Sequence, residues 1–183
     1  MDTTKPLKNP KQIKDLLEVY DVDSKGHLLL LFGLYTGLRI SDILRTQVKQ
    51  IDAGNWIGYE KKTGKRKQIK LNHKLLDNLK WWIATNGLEG EDYVFFSDKD
   101  TSKPFSRTRA DYYIRNAGDM IGLDRLSAHS LRKTFGYHAY KNGTPIPLLM
   151  RIFNHSSQSV TLRYIGIEQQ DIDKVYAEID FDY

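Results

Sequence analysis

Residues 28–35 read LLLLFGLY. The run is far shorter than the ~18 apolar residues a membrane span requires, yet it is apolar nearly all round a helix. Such a helix has no polar face to offer water, so it belongs at the centre of a helical domain. The spacing predicts a helix over 27–36, stopped by Gly37. Upstream, Asn9 suits an N-cap and Pro10 a first helical position, while Ile13, Leu16, Leu17 and Tyr20 mark one apolar face. Downstream, a third helix begins near Ser41 and carries Ile43, Leu44 and Val48.

The period then changes. Trp56, Ile57 and Tyr59 precede a turn at Thr63-Gly64, and Gln68, Ile69 and Leu71 follow, which predicts a β-hairpin with a basic tip. Asn72 caps a helix over 73–86 with Leu75, Leu76, Leu79, Trp82 and Ile83 inward and Gly87 as its stop. Residues 93–97 (YVFFS) form a short strand candidate. Further helices are expected over 106–121, 130–142, 145–154, 159–165 and 168–179. Tyr137, Tyr140 and Tyr176 are expected in the core. The fold class is α+β, mostly α: a helical domain with one small antiparallel sheet. There is no repeat, low-complexity tract or Gly/Ser linker to divide the chain, so residues 1–183 form one domain with a tail helix at about 168–183.

Hydrophobic residues make up 40% of the 183 and charged residues 28%, an ordinary globular composition. Absence of cysteine excludes disulfides, thiolate metal sites and cysteine nucleophiles. The N-terminus MDTTKPLKNP has no apolar signal-peptide core, and no membrane span is in view, so a cytoplasmic location is expected. The net charge of +5 and pI of about 9.2 are modest, but the cations cluster. Lys61, Lys62, Lys65, Arg66, Lys67 and Lys70 fall within ten residues, and Arg107, Arg109 and Arg115 form a second group. One such cluster is as readily a solvated face; two together point to a polyanion.

Four stretches stand out: TGLRISDIL at 36–44, KKTGKRK at 61–67, HSLRKTF at 129–135 and NHSSQSVTLRY at 154–164. Singly, each has a plain structural reading. Arg39 after a glycine suits a helix start, His129 a helix entrance, and most of the eleven tyrosines suit a core. Jointly, and in this order, they resemble the tyrosine recombinase (phage integrase) family over nearly the whole chain, and specifically its catalytic domain. The resemblance implies Arg39 as the first catalytic arginine, Lys62 as the hairpin lysine, His129 and Arg132 as the His-x-x-Arg pair, His155 as the second histidine and Tyr164 as the nucleophile. Asp42 matches an acidic position that buttresses the site.

These residue types suit the chemistry on physical grounds. Attack on a DNA phosphodiester gathers charge on the non-bridging oxygens. Two guanidiniums can grip them bidentately without losing a proton near neutral pH. A phenol is a workable nucleophile in a cationic field, and a lysine of lowered pKa can protonate the leaving 5′ oxygen. His129 lies one turn before Arg132, so both can face one phosphate. The segment SSQSVT is expected as a polar connection that carries Tyr164 to the phosphate facing His155.

The expected partner is double-stranded DNA, held by Lys61, Lys65, Arg66, Lys67, Arg107 and Arg109. Neither a metal nor a cofactor is expected, because the clustered carboxylates of a two-metal nuclease are missing. By family resemblance the protein is a monomer when free and a tetramer on paired DNA sites. The resemblance also bears on two departures. Asn154 stands where the family usually has glycine, and Asn tolerates the left-handed turn best among residues with a side chain. Only about twenty-five residues precede the second helix, too few for the N-terminal core-binding domain that most members carry. The chain is therefore expected to be either naturally short, like the fimbrial-switch invertases, or a fragment. Two other functions share parts of this pattern, a type IB topoisomerase and a DNA-binding regulator with an inactive site.

Overall fold

A computed structural model of the chain describes residues 4–181. At its centre lies α2 (Lys25–Thr36), in which Leu28, Leu29, Leu30 and Phe32 are at most 1% exposed. The Ser24 side chain caps it by accepting from the His27 amide, and Gly37 ends it at φ 58°. Each fully buried leucine contributes ~1.5–3 kcal/mol relative to exposure, so α2 anchors the core. Around it pack α1 (Pro10–Leu17), α3 (Ile40–Ile43), α4 (His73–Thr85), α5 (Arg107–Met120) and α6 (Ala128–Lys141).

The third helix is shorter than the sequence suggests. α3 has four residues, and Val48 begins a separate 3-10 turn, Val48–Gln50. Thr46 is the reason. Its hydroxyl bonds the Asp42 carbonyl at 3.2 Å and receives the Trp56 indole N–H at 3.0 Å, while the Val48 amide bonds the Asp92 carbonyl. These bonds take the chain out of helix and into the sheet.

That sheet has three antiparallel strands, β1 (Ile51–Asp52), β2 (Asn55–Tyr59) and β3 (Arg66–Lys70), with Trp56 opposite Ile69 and Tyr59 opposite Arg66. A second small sheet pairs β4 (Phe96–Ser97) with β5 (Asp100–Pro104), so there are two sheets where one was expected. Strand β5, DTSKP, carries no apolar alternation to announce it.

A smaller core of Tyr137, Leu149, Phe153 and Ile165 joins α6 to α7 (Ile146–Phe153) and α8 (Gln158–Tyr164). The approach is close: a Cβ on Gly136 would lie 2.6 Å from both Ile165 and Phe153. Helix α9 (Gln169–Glu178) has no buried residue. Tyr176, expected in the core, is 78% exposed, and Ile172, Val175 and Ile179 are exposed beside it. The first turn of α9 is tied down by the Asp171 carboxylate, which receives Lys8 Nζ and the Glu168 amide, both at 3.0 Å. Residues 182 and 183 of the expected tail lie outside the described residues. Among those described, no helix is long and apolar enough to cross a membrane.

Candidate active site

Helix ends build the site. Arg132, in the second turn of α6, is 4% exposed. Its guanidinium donates from Nη1 to the Gly37 carbonyl and from Nη2 to the Phe153 carbonyl at 3.3 Å. These are the C-terminal carbonyls of α2 and α7, which lack partners within their own helices and sit at the negative ends of two helix dipoles. The Phe153 ring lies 4.7 Å beneath the guanidinium carbon, a cation–π contact. Burial pushes the Arg132 pKa down, and Arg39 adds to this; Tyr164, hydrogen-bonded to Arg132, opposes it.

Arg39 occupies the N-cap of α3, just past the Gly37 turn. Its Nη1 donates to Glu60 Oε2 at 3.0 Å. Lys62 lies on the β2–β3 loop and His129 on the first turn of α6; both are exposed. At the end of α7, Asn154 takes the left-handed conformation at φ 59°, ψ 50°, as its residue type allows. His155 follows it. Burial pushes the His155 pKa down, and Arg132 and Arg39 push the same way, so its imidazole is neutral near pH 7. Its Nδ1 is 3.2 Å from the hydroxyl of the fully buried Thr161.

Tyr164 ends α8. Its ring meets the His155 ring nearly edge-on, with centroids 4.9 Å apart, and lies 5.2 Å from the Phe153 ring. Lys133 Nζ is 5.5 Å from its centroid. Arg39, Lys62, His129, Arg132, His155 and Tyr164 thus line one cleft of about 210 Å³, together with Phe153 and Asn154. The segment before Tyr164 is more ordered than expected. Ser157 caps α8, and Gln158 to Thr161 are already helical, so the expected polar connection is only the start of a helix.

Asp42 is buried, and its Oδ1 accepts from the Lys61 amide at 3.0 Å, tying α3 to the hairpin. Of the residues proposed for DNA, Lys61, Lys65 and Arg66 are exposed on the hairpin, with Lys65 Nζ 3.3 Å from Asn154 Oδ1. Lys67 is turned inward, to Glu60 Oε1 at 3.3 Å and the Ile152 carbonyl at 2.9 Å. Arg107 and Arg109 lie on α5, paired with Asp111 and Asp98 at 3.5 and 2.5 Å, and do not line the cleft. Among the described residues, no group of three or more His, Asp or Glu is placed to hold a metal ion.

Three residues of the site escaped the sequence reading: Glu60, Phe153 and Thr161. For Glu60 a signal existed. Trp56, Gly58 and Glu60 fall at period two and are all buried, so the lone acid of a basic hairpin points inward.

Comparison with known proteins agrees with this geometry. The description of the phage integrase family matches residues 8–171. A probable integrase/recombinase, YoeC of Bacillus subtilis (strain 168), is 35% identical over 178 residues, covering 96% of this chain and 97% of that protein. The crystal structure of XerA recombinase superposes over the whole chain with a TM-score of 0.79 at 18% identity, this chain spanning 66% of that one. XerH site-specific recombinase, in a post-cleavage complex with a palindromic difH substrate, gives 0.77 at 19% identity over 94% of this chain and 52% of that one. The chain belongs to the phage integrase family, the site-specific tyrosine recombinases, and has the fold of their catalytic domain.

Proposed function

We propose that Tyr164 breaks and rejoins double-stranded DNA from this cleft. The observation that carries the reading is the convergence of two guanidiniums, two imidazoles and a lysine around one phenol. Arg39 and Arg132 grip the non-bridging oxygens of the scissile phosphate. Removing one such preorganised donor typically costs ~3–4 kcal/mol of barrier, about 10²–10³ in rate. The Tyr164 hydroxyl gives its proton to the neutral His155 imidazole at its edge as its oxygen, steadied by Arg132, attacks phosphorus. The bond from phosphorus to the 5′ oxygen breaks, and the Lys62 ammonium protonates that departing oxygen to give a 5′-hydroxyl. A 3′-phosphotyrosyl link remains, and a 5′-hydroxyl from a partner strand reverses the step. The covalent link holds the energy, so no nucleotide is consumed, and the arginines and lysine stand where a Lewis acid otherwise would.

Exposed Lys61, Lys65 and Arg66 hold the DNA backbone next to the cleft. The related XerH was captured on its DNA substrate after cleavage, which supports the same partner here. A tetramer on paired sites carries out the exchange, assembled from free monomers.

The test uses a duplex recovered from a random pool by repeated binding selection, then nicked so that the cut strand diffuses away. The wild type forms a covalent adduct on denaturing gels, and does so in excess chelator. Tyr164→Phe binds with unchanged affinity and forms none. An adduct on the phenylalanine variant, or chelator-sensitive cleavage restored by magnesium, overturns the mechanism.

A further inference from the structure

Glu60 is a buried carboxylate bonded to Arg39, just behind the lining of a cleft built to take an anion. Its charge opposes a phosphate, so its presence there needs a reason. Each of its oxygens is engaged. Oε2 receives Arg39 Nη1 at 3.0 Å and the Thr63 hydroxyl at 2.9 Å, and Oε1 receives Lys67 Nζ at 3.3 Å. Its backbone closes the same loop: the Glu60 amide donates to the Lys65 carbonyl at 3.0 Å, and the Gly64 amide donates to the Glu60 carbonyl at 2.8 Å. Lys62 lies inside that loop.

Lys67 extends the connection to the helix whose end lines the cleft. The same ammonium that meets Glu60 donates to the Ile152 carbonyl at 2.9 Å, in the last turn of α7. The next residue, Phe153, gives its carbonyl to Arg132, and His155 follows two positions on. One carboxylate therefore joins the start of α3, the hairpin loop and the end of α7.

We propose that Glu60 is a positioning residue for strand cleavage: it fixes one edge of the Arg39 guanidinium and closes the loop that aims Lys62, so that both meet the scissile phosphate together. This rests on the reading of the cleft as a tyrosine recombinase site. A guanidinium has five N–H donors, so fixing one edge leaves the others for phosphate oxygens. Arg39 would otherwise be a long side chain free to rotate at a helix start. Ion pairs of this kind seldom stabilise more than well-packed apolar residues would, which leaves arrangement as the gain. The charge state agrees. Burial pushes the Glu60 carboxyl up, but the Thr63 hydroxyl, Lys67 and Arg39 outweigh it and the net direction is down, so the carboxylate is ionised when DNA arrives.

The experiment measures adduct formation on the same selected, nicked duplex. Glu60→Gln keeps the shape and removes the charge. Its first-order rate constant at saturating DNA is expected to fall about 100-fold, the scale of a ~1 Å misplacement. Its half-saturating DNA concentration should stay equal or drop, since a negative charge beside the cleft has gone. A role confined to stability would lower the amplitude, through the folded fraction, and leave the rate constant alone. Thr63→Val, a change at the half-buried hairpin turn, cuts one arm of the network and should slow adduct formation several-fold even if Glu60→Gln fails to fold. Wild-type rate constants in every variant that folds overturn the proposal while leaving the recombinase reading intact. If the wild type itself forms no adduct, both fall.

Discussion

At the scale of single residues, the site depends on positions where only one side chain fits. Gly37 is the sharpest. It sits at φ 58°, and a Cβ there would lie 2.4 Å from Phe135 Cδ1. A left-handed residue with a side chain costs ~1–2 kcal/mol, and overpacking adds ~1–3 kcal/mol. Gly37→Ala should therefore lower the thermal midpoint by about 5–15 °C for a domain of this size, as read by circular dichroism. An unchanged midpoint would mean that Phe135 moves aside without cost. The Gly37 carbonyl also receives Arg132, so the same change should slow cleavage beyond its effect on folding. The catalytic candidates were legible in the sequence because their types and order are chemically demanding. Phe153 and Thr161 were not: an aromatic and a threonine inside amphipathic helices look like ordinary packing until the Phe153 carbonyl is seen on Arg132 and the Thr161 hydroxyl on His155.

At the scale of elements, the hairpin is where the proposed chemistry and the proposed DNA contacts meet. Its exposed cations are Lys61, Lys62, Lys65, Arg66 and Lys70, whereas Lys67 is turned inward. Replacing Lys61, Lys65 and Arg66 with alanine should flatten the salt dependence of DNA binding, each lost phosphate contact reducing the log–log slope by about 0.9. Fluorescence anisotropy across a range of salt concentrations reads this directly. An unaltered slope would place the hairpin away from the DNA backbone. Element type was readable wherever one period persisted: the capped helix of 73–85 and the alternating strands of 55–59 and 66–70 lie where spacing put them, whereas the capped helix that begins at Pro10 ends at Leu17, short of the Tyr20 its spacing included. Periodicity could not find β5, whose residues bury nothing, or the early end of α3. That end is set by the Thr46 hydroxyl bonding to groups far along the chain. Inward-facing Lys67 was hidden for a related reason: a lysine in a basic run looks solvated until its partner, Glu60, is located.

At the scale of the whole molecule, α9 is the part without an interior. Ile172, Val175, Tyr176 and Ile179 fall at i, i+3, i+4 and i+7, the spacing of one apolar stripe, yet they are 45–78% exposed. Removing residues 168–183 forfeits the Lys8–Asp171 pair, worth ~0–1 kcal/mol at a partly exposed site, and little packing. The truncated chain should stay folded and bind a single DNA site as a monomer. If the stripe docks on a neighbouring protomer, it should fail to assemble on paired sites, measured by light scattering with paired-site DNA. An insoluble truncation, or one that assembles normally, would defeat the docking idea. The order of the site along the chain has a further bearing. Arg39 comes first, then Arg132 and last Tyr164, and Arg132 reaches back across 95 positions to Gly37. No short piece of the sequence holds the whole cleft, whose lining runs from Arg39 to Tyr164. Under the proposed function, a polypeptide still on the ribosome, or a proteolytic fragment, can carry the basic hairpin and cling to a chromosome. Under the proposed mechanism it cannot cut one, because Tyr164 meets Arg39 and Arg132 only when the whole of residues 39–164 is present and folded. For an enzyme whose errors are broken genomes, that arrangement makes incomplete copies harmless.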